Sequence, residues 1–288
     1  MARPHFQPTA FRDIIDYYDK TRFDYQVAWL NDDNLAVHFG FYDRHTHRHA
    51  DALINTNRIM ARLAGVQQGM RVLDAGCGKG GSSLWLAREY GVRAVGITPV
   101  LSQVEEARQQ AAQRGMQGQC KFLQADYCAT GLDSNSFDLV WACESLCHAR
   151  DKAAFYQEAG RLLRPGGRIV LAEYTRYLRP LAPAQEQLLL DWLNRWAIPD
   201  IDTAAEHEAH LQSAGFTGIR IEDYTPYAFI SLKNLHQIAR RWLWANYILR
   251  ALRVRSREQH HNITGSVRQF EALRQGLWFY ALITAQKA

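Results

Sequence analysis

The sequence predicts an α/β protein: a seven-stranded, mostly parallel sheet with helices on both faces, a helical N-terminal segment and a helical cap. Three observations carry this. Between residues 70 and 174, short apolar bursts alternate strictly with helical periodicities, the pattern of a parallel sheet covered on both sides. Residues 1–65 hold no strand pattern. Beyond residue 174 the alternation loosens, and long helical stretches rich in aromatics interrupt the last strands. The expected organisation is a helical segment over 1–65 and the sheet domain over 66–288, with cap insertions at about 176–214 and 228–275.

Each element follows from its own residues. "PTAFRDIIDYYDKTRFDYQVAWL" spaces its apolar side chains helically, and "HADALINTNRIMARLAG" closes on Gly65 as a helix should. "MRVLDAG" is an apolar burst ending at glycine, hence a buried strand. "SSLWLAREYG" is a helix, "VRAVGI" a strand and "VLSQVEEARQQAAQRG" a second glycine-terminated helix. "CKFLQAD" and "FDLVWAC" are strands three and four. "KAAFYQEAGRLLRPGG" is a helix and a Pro-Gly-Gly turn leading into the strand "RIVLAEY". "PAQEQLLLDWLNRWAI" and "TAAEHEAHLQSAG" are helices, "FTGIRIEDYT" a strand, residues 231–275 helical and basic, and "LWFYALITAQ" the seventh strand.

Composition narrows the function. Of 288 residues, 47% are apolar and 22% charged, ordinary for a globular chain with a real core. The net charge of +5 is mild, and no aromatics interleave with lysines as in single-strand grooves, so nucleic acid is not an expected partner. The start lacks an apolar core of signal-peptide length and no run suits a membrane span, which makes the cytoplasm the expected location. The five cysteines form no CxxC pair and no zinc site is expected. Cys143 and Cys147 are spaced to share a helix face, and His45, His47 and His49 read as a solvated helix entrance.

The stretch "RVLDAGCGKGGSS", residues 71–83, carries the chemistry. A strand running into glycines and then a helix is a cofactor cradle, because glycine lets a ligand approach the backbone closely. A Walker A loop fails, since Lys79 is followed by glycine rather than Ser or Thr. A dinucleotide loop fits poorly, because a pyrophosphate has no use for Asp74 at the strand end. A donor with an α-amino group, a carboxylate and a ribose fits better. The strand-end Asp74 suits the amino group and glycine amides suit the carboxylate.

These residues resemble the first motif of class I S-adenosylmethionine-dependent methyltransferases, a Rossmann-like fold. "LLRPGGRIVLAE" resembles the later turn-plus-strand motif of that family. "GITPVLSQ", "ESLCHARDK", "YYDK" and "HFGFYD" resemble the branch of sterol C-methyltransferases, tocopherol-type methyltransferases and cyclopropane synthases. The likeness covers residues 14–175. It implies that S-adenosyl-L-methionine is bound by Asp74, Gly76, Gly78 and Gly80, and that S-adenosyl-L-homocysteine is the product. Where many members carry an acid after the second strand, this chain has Thr98, so ribose falls to Gln103 five residues on. The resemblance sets Asp126 against the adenine amino group with Tyr127 beside it, and folds the N-terminal segment over the cofactor.

Methyl transfer from a sulfonium is an in-line displacement, so positioning dominates. Tyr18, Phe39 and Tyr42 are candidate aromatic faces for the sulfonium. Glu144 and His148 follow the fourth strand at the sheet edge where ligands bind, and are the candidate bases. The expected acceptor is a small apolar molecule, a terpenoid, sterol-like or prenylated aromatic compound, methylated on carbon or oxygen. Lipid alkylation of the cyclopropane-synthase kind and small-molecule N-methylation are the alternatives. The segment 238–257 alternates apolar clusters with arginines. It suits a membrane surface, the wall of an apolar acceptor pocket, a diphosphate site, a homodimer contact, or a lid helix with core aromatics and solvated arginines.

Overall fold

The computed structural model describes residues 11–28 and 35–288. Its sheet runs in the order β3-β2-β1-β4-β5-β7-β6. Strands β1 (Arg71–Ala75), β2 (Arg93–Thr98), β3 (Cys120–Gln124), β4 (Phe137–Cys143) and β5 (Leu163–Arg176) are mutually parallel. β7 (Trp278–Lys287) runs antiparallel between β5 and β6 (Phe216–Asp223). The seven strands are those the sequence predicts. β5 is longer than expected, because residues of the Pro-Gly-Gly turn join it at Leu163, opposite Phe137, before the register shifts.

Helices α3 (Gly81–Tyr90), α4 (Leu101–Gln113), α5 (Lys152–Leu162) and α7 (Ala204–Ser213) accompany the strands. Local chemistry sets their ends. The Asp151 carboxylate accepts from the Ala154 amide at the start of α5, and Thr203 with Glu206 forms a reciprocal cap on α7. Apolar residues of successive strand positions go to opposite faces, which yields two core clusters, one on each side of the sheet.

The N-terminal segment contributes α1 (Arg12–Ala28) and α2 (His49–Ala64) among the described residues. Between them "HFGFYD" is irregular, not helical, and buries Phe39 and Phe41. The cap is built from α6 (Pro183–Arg195), α8 (Thr225–Ala251) and α9 (Arg257–Arg274). α9 crosses α6 at Gly265, where a Cβ would lie 2.5 Å from the Trp196 ring. Cys143 ends β4 while Cys147 sits in a short 3-10 turn, Leu146–His148, so they share no helix face.

Candidate active site

The five parallel strands all deliver their carboxyl ends to one sheet edge, and two adjoining cavities open there. The first is lined by Asp74, Gly76, Gly78, Thr98, Gln103 and Tyr127, with Leu35–His38 and α1 residues closing it. Gly76 has φ 91°, and a Cβ on it would strike Ser145 at 2.2 Å, so the turn after β1 demands glycine. Gly78, with φ 50°, borders the cavity, and a Cβ there would meet no protein atom within 4 Å. The loop thus leaves open space at the cavity's edge.

The polar groups around this space suit an amino-acid nucleoside. Asp74 is buried, its Oδ2 accepts from the Ser83 hydroxyl at 2.6 Å, and burial raises its pKa to about 6. A ligand ammonium would reverse that shift. The Thr98 hydroxyl donates to Gln103 Oε1 at 2.8 Å, which leaves the Gln103 amide protons for ribose-type oxygens. His38 is buried, its Nδ1 donates to the Phe39 carbonyl at 3.1 Å, and its Nε2 has no partner. An unpartnered buried acceptor on a cavity wall is a place for a ligand donor.

The second cavity holds about 330 Å³, within the range of small-molecule sites. Phe39, Trp196, Leu235, Ile238, Trp242 and Leu249 make it apolar. One stretch of its wall is polar. Arg255 donates to Asp24 at 2.6 Å, Tyr17 donates to Asn262 at 2.8 Å, and the buried Asn246 keeps its Oδ1 unpartnered. Because Asp24 neutralises Arg255, this wall suits a neutral hydroxyl or carbonyl better than a diphosphate.

Tyr18, Val37, Glu144 and His148 line both cavities. All three candidate catalytic residues are thus brought together at the junction. Glu144 has φ 50°, a left-handed backbone that a glutamate adopts only at a cost in energy. Its Oε1 accepts from the Phe39 amide and the Tyr280 hydroxyl, both at 2.6 Å, and its Oε2 accepts from the Tyr174 hydroxyl. Burial raises its pKa to about 7 against these donors, with Glu173 adding to the rise. Three of about four lone-pair sites are filled, so one on Oε2 remains for a proton. His148 Nδ1 donates to the Ala197 carbonyl at 3.2 Å, which makes Nε2 the acceptor of the Tyr18 hydroxyl at 3.0 Å. Burial lowers the His148 pKa to about 4, so the ring is neutral at physiological pH.

Three expected residues lie outside the wall of the first cavity. Gly80 is absent from the cavity wall. It starts α3, where a Cβ would meet Phe122 at 2.7 Å. Asp126 also lies outside the wall, its Oδ1 accepting from the Cys128 amide in a local turn. Tyr42 lines neither cavity, and its hydroxyl oxygen lies 3.4 Å from His49 Nδ1. Sequence reasoning missed Tyr174 and Tyr280. The antiparallel register pairs them directly, so both hydroxyls reach Glu144.

A methyltransferase-domain family model matches residues 73–171. The 27-O-demethylrifamycin SV methyltransferase of Amycolatopsis mediterranei is 31% identical over 66% of this chain and 70% of its own length. The chain belongs to the class I S-adenosylmethionine-dependent methyltransferases. A second member of this methyltransferase class, the chloroplastic tocopherol O-methyltransferase of Arabidopsis thaliana, is 30% identical over 74% of this chain, and the chain spans 65% of that relative's length. The solved cyclopropane synthase MmaA2 of Mycobacterium tuberculosis superposes with TM-score 0.78 over 99% of both chains at 20% identity, a likeness of fold. Among the described residues no helix is long and apolar enough to cross a membrane.

Proposed function

We propose that this protein transfers a methyl group from S-adenosylmethionine to carbon or oxygen of a small, largely apolar acceptor bearing one neutral polar group. The observation that carries the reading is the shared wall: Glu144, His148, Tyr18 and Val37 face both the glycine-loop cavity and the apolar one. Asp74, Gly76, Gly78, Thr98, Gln103, Tyr127 and His38 would hold the cofactor, and Phe11, Ile14 and Tyr18 would cover it. When bound, S-adenosylmethionine supplies an activated methyl group.

The chain's own residues then have definable work. The apolar wall orients the acceptor and excludes water, so displacement is not lost to solvent. The free lone pair of Glu144 Oε2 takes the proton that a methylated carbon or hydroxyl must lose. Tyr174 and Tyr280 hold that carboxylate in place. His148 Nε2, already accepting from Tyr18, offers a second path for a hydroxyl proton. The relatives named for tocopherol and for a demethylrifamycin support a lipophilic or polycyclic acceptor. The proposed compartment is the cytoplasm, checked by fractionation.

Incubation with methyl-labelled cofactor and a panel of phenols, sterols, terpenoids and lipids tests the proposal. Label should enter an organic-soluble product, and wild-type protein that labels none of these classes would sink it.

A further inference from the structure

Residues 225–257 contain seven lysines and arginines and no aspartate or glutamate, so this one stretch holds more than the whole net charge of +5. It is also the most apolar exposed surface of the described chain. Trp242, Trp244, Tyr247, Ile248, Leu252 and Val254 are 50–68% exposed. Lone exposed apolar side chains need no explanation, but a contiguous set on one helix does.

The helix presents these residues in two directions. Ile238, Trp242 and Leu249 line the acceptor cavity. Trp244, Ile248 and Leu252 recur every four residues, make a ridge along α8, and do not line it. A helix that only roofed the cavity would need the first set alone. Arg240, Arg241, Arg250 and Arg253 are exposed along the same stretch, Arg240 and Arg241 one turn before Trp244, while Arg255 is held by Asp24.

We infer that α8 and the turn after it seat this protein on an anionic lipid bilayer, with the ridge Trp244–Ile248–Leu252 in the headgroup region and the cavity mouth at the membrane surface. Exposed aromatic and aliphatic side chains flanked by arginines are the chemistry of a helix lying in an interface. No described helix is long and apolar enough to cross the membrane, so the contact is peripheral. A second copy of the chain fits worse. A two-fold contact would set the same arginines against each other with no carboxylate from this stretch between them. Delivery of the acceptor from the bilayer rests on the apolar cavity being the acceptor site, as proposed above; bilayer binding does not.

Co-sedimentation with vesicles of phosphatidylglycerol and phosphatidylcholine, against phosphatidylcholine alone, tests this. Wild type should pellet with the anionic vesicles and be released as salt rises. The triple variant Trp244→Ser/Ile248→Ser/Leu252→Ser should bind at least roughly tenfold more weakly. Arg240→Gln/Arg241→Gln should lose about fivefold per arginine on anionic vesicles only. Calorimetry with S-adenosylhomocysteine, run on the same preparations, should be unchanged in both variants. That separates a failed docking surface from a failed cofactor reading. Wild type that ignores both vesicle types, equal pelleting of wild type and the triple variant, or a dimer in analytical ultracentrifugation that only the triple variant dissolves, would each overturn the inference.

Discussion

Glu144 is the residue on which the proposed chemistry turns. It is buried, backbone-strained, and held by two tyrosines and a main-chain amide. Its pKa of about 7 means that the basic form accumulates as pH rises through neutrality. The rate should therefore climb between about pH 6 and 8, and Glu144→Gln should cut kcat roughly 10²–10⁴-fold and abolish that climb while cofactor affinity holds. A variant with the wild-type pH profile would move the base elsewhere. At the polar wall, Asn246→Leu removes an unpartnered acceptor facing an apolar cavity. It should raise the acceptor KM about fivefold to tenfold with little change in kcat, measured by initial rates. Glu144, His148 and Tyr18 were readable in the chain because motif order places them after β4 and in α1. Their partners were not. Tyr174 and Tyr280 are 106 positions apart, and only the antiparallel register of β5 and β7 joins them. His38 needed burial to be noticed, since a lone histidine in sequence carries no sign of an unpartnered nitrogen.

Among the elements, the strands and sheet helices were legible because parallel strands buried on both faces give apolar runs and glycines close the helices. The cap was legible only as helical content. Its packing depends on the crossing at Gly265, where α9 meets Trp196 of the α6 end. A methyl group there has no room, so Gly265→Ala should cost about 1–3 kcal/mol despite its better helix propensity, seen as a lowered midpoint in denaturant unfolding. An unchanged or raised midpoint would mean that α9 can shift away from α6. Gly80 and Asp126 were named by the family motif, and their local surroundings, Phe122 close to Gly80 and the Cys128 amide on Asp126, could be seen only in the fold.

In the whole molecule, buried titratable groups of both kinds set the pH response. Burial raises Glu144 and Glu173 to about 7 and Asp74 to about 6, so the folded state holds their protons more tightly than the unfolded chain. Each contributes stability at low pH that is lost as pH rises from about 4 to its folded value. His38 and His148, lowered to about 4, and His207, lowered to about 3, act in the opposite sense, adding stability as pH rises to about 6.5. The two sets oppose each other below that point, and above it the glutamates act alone. Thermal midpoints of the cofactor-free protein should be nearly level between about pH 5 and 6.5 and then fall by about pH 7.5; a continued rise would contradict the buried-carboxylate assignment.

The central claim is that the turn after β1 leaves its open side for S-adenosylmethionine. The most direct measurement is a calorimetric titration of S-adenosylhomocysteine into the wild type and Gly78→Asn, a residue that tolerates the left-handed φ of 50° there and whose Cβ would meet no protein atom within 4 Å. Saturable one-to-one binding in the wild type, lost in a variant that still melts cooperatively, is the predicted result. No binding heat in the wild type, or equal affinity in the two proteins, would contradict it.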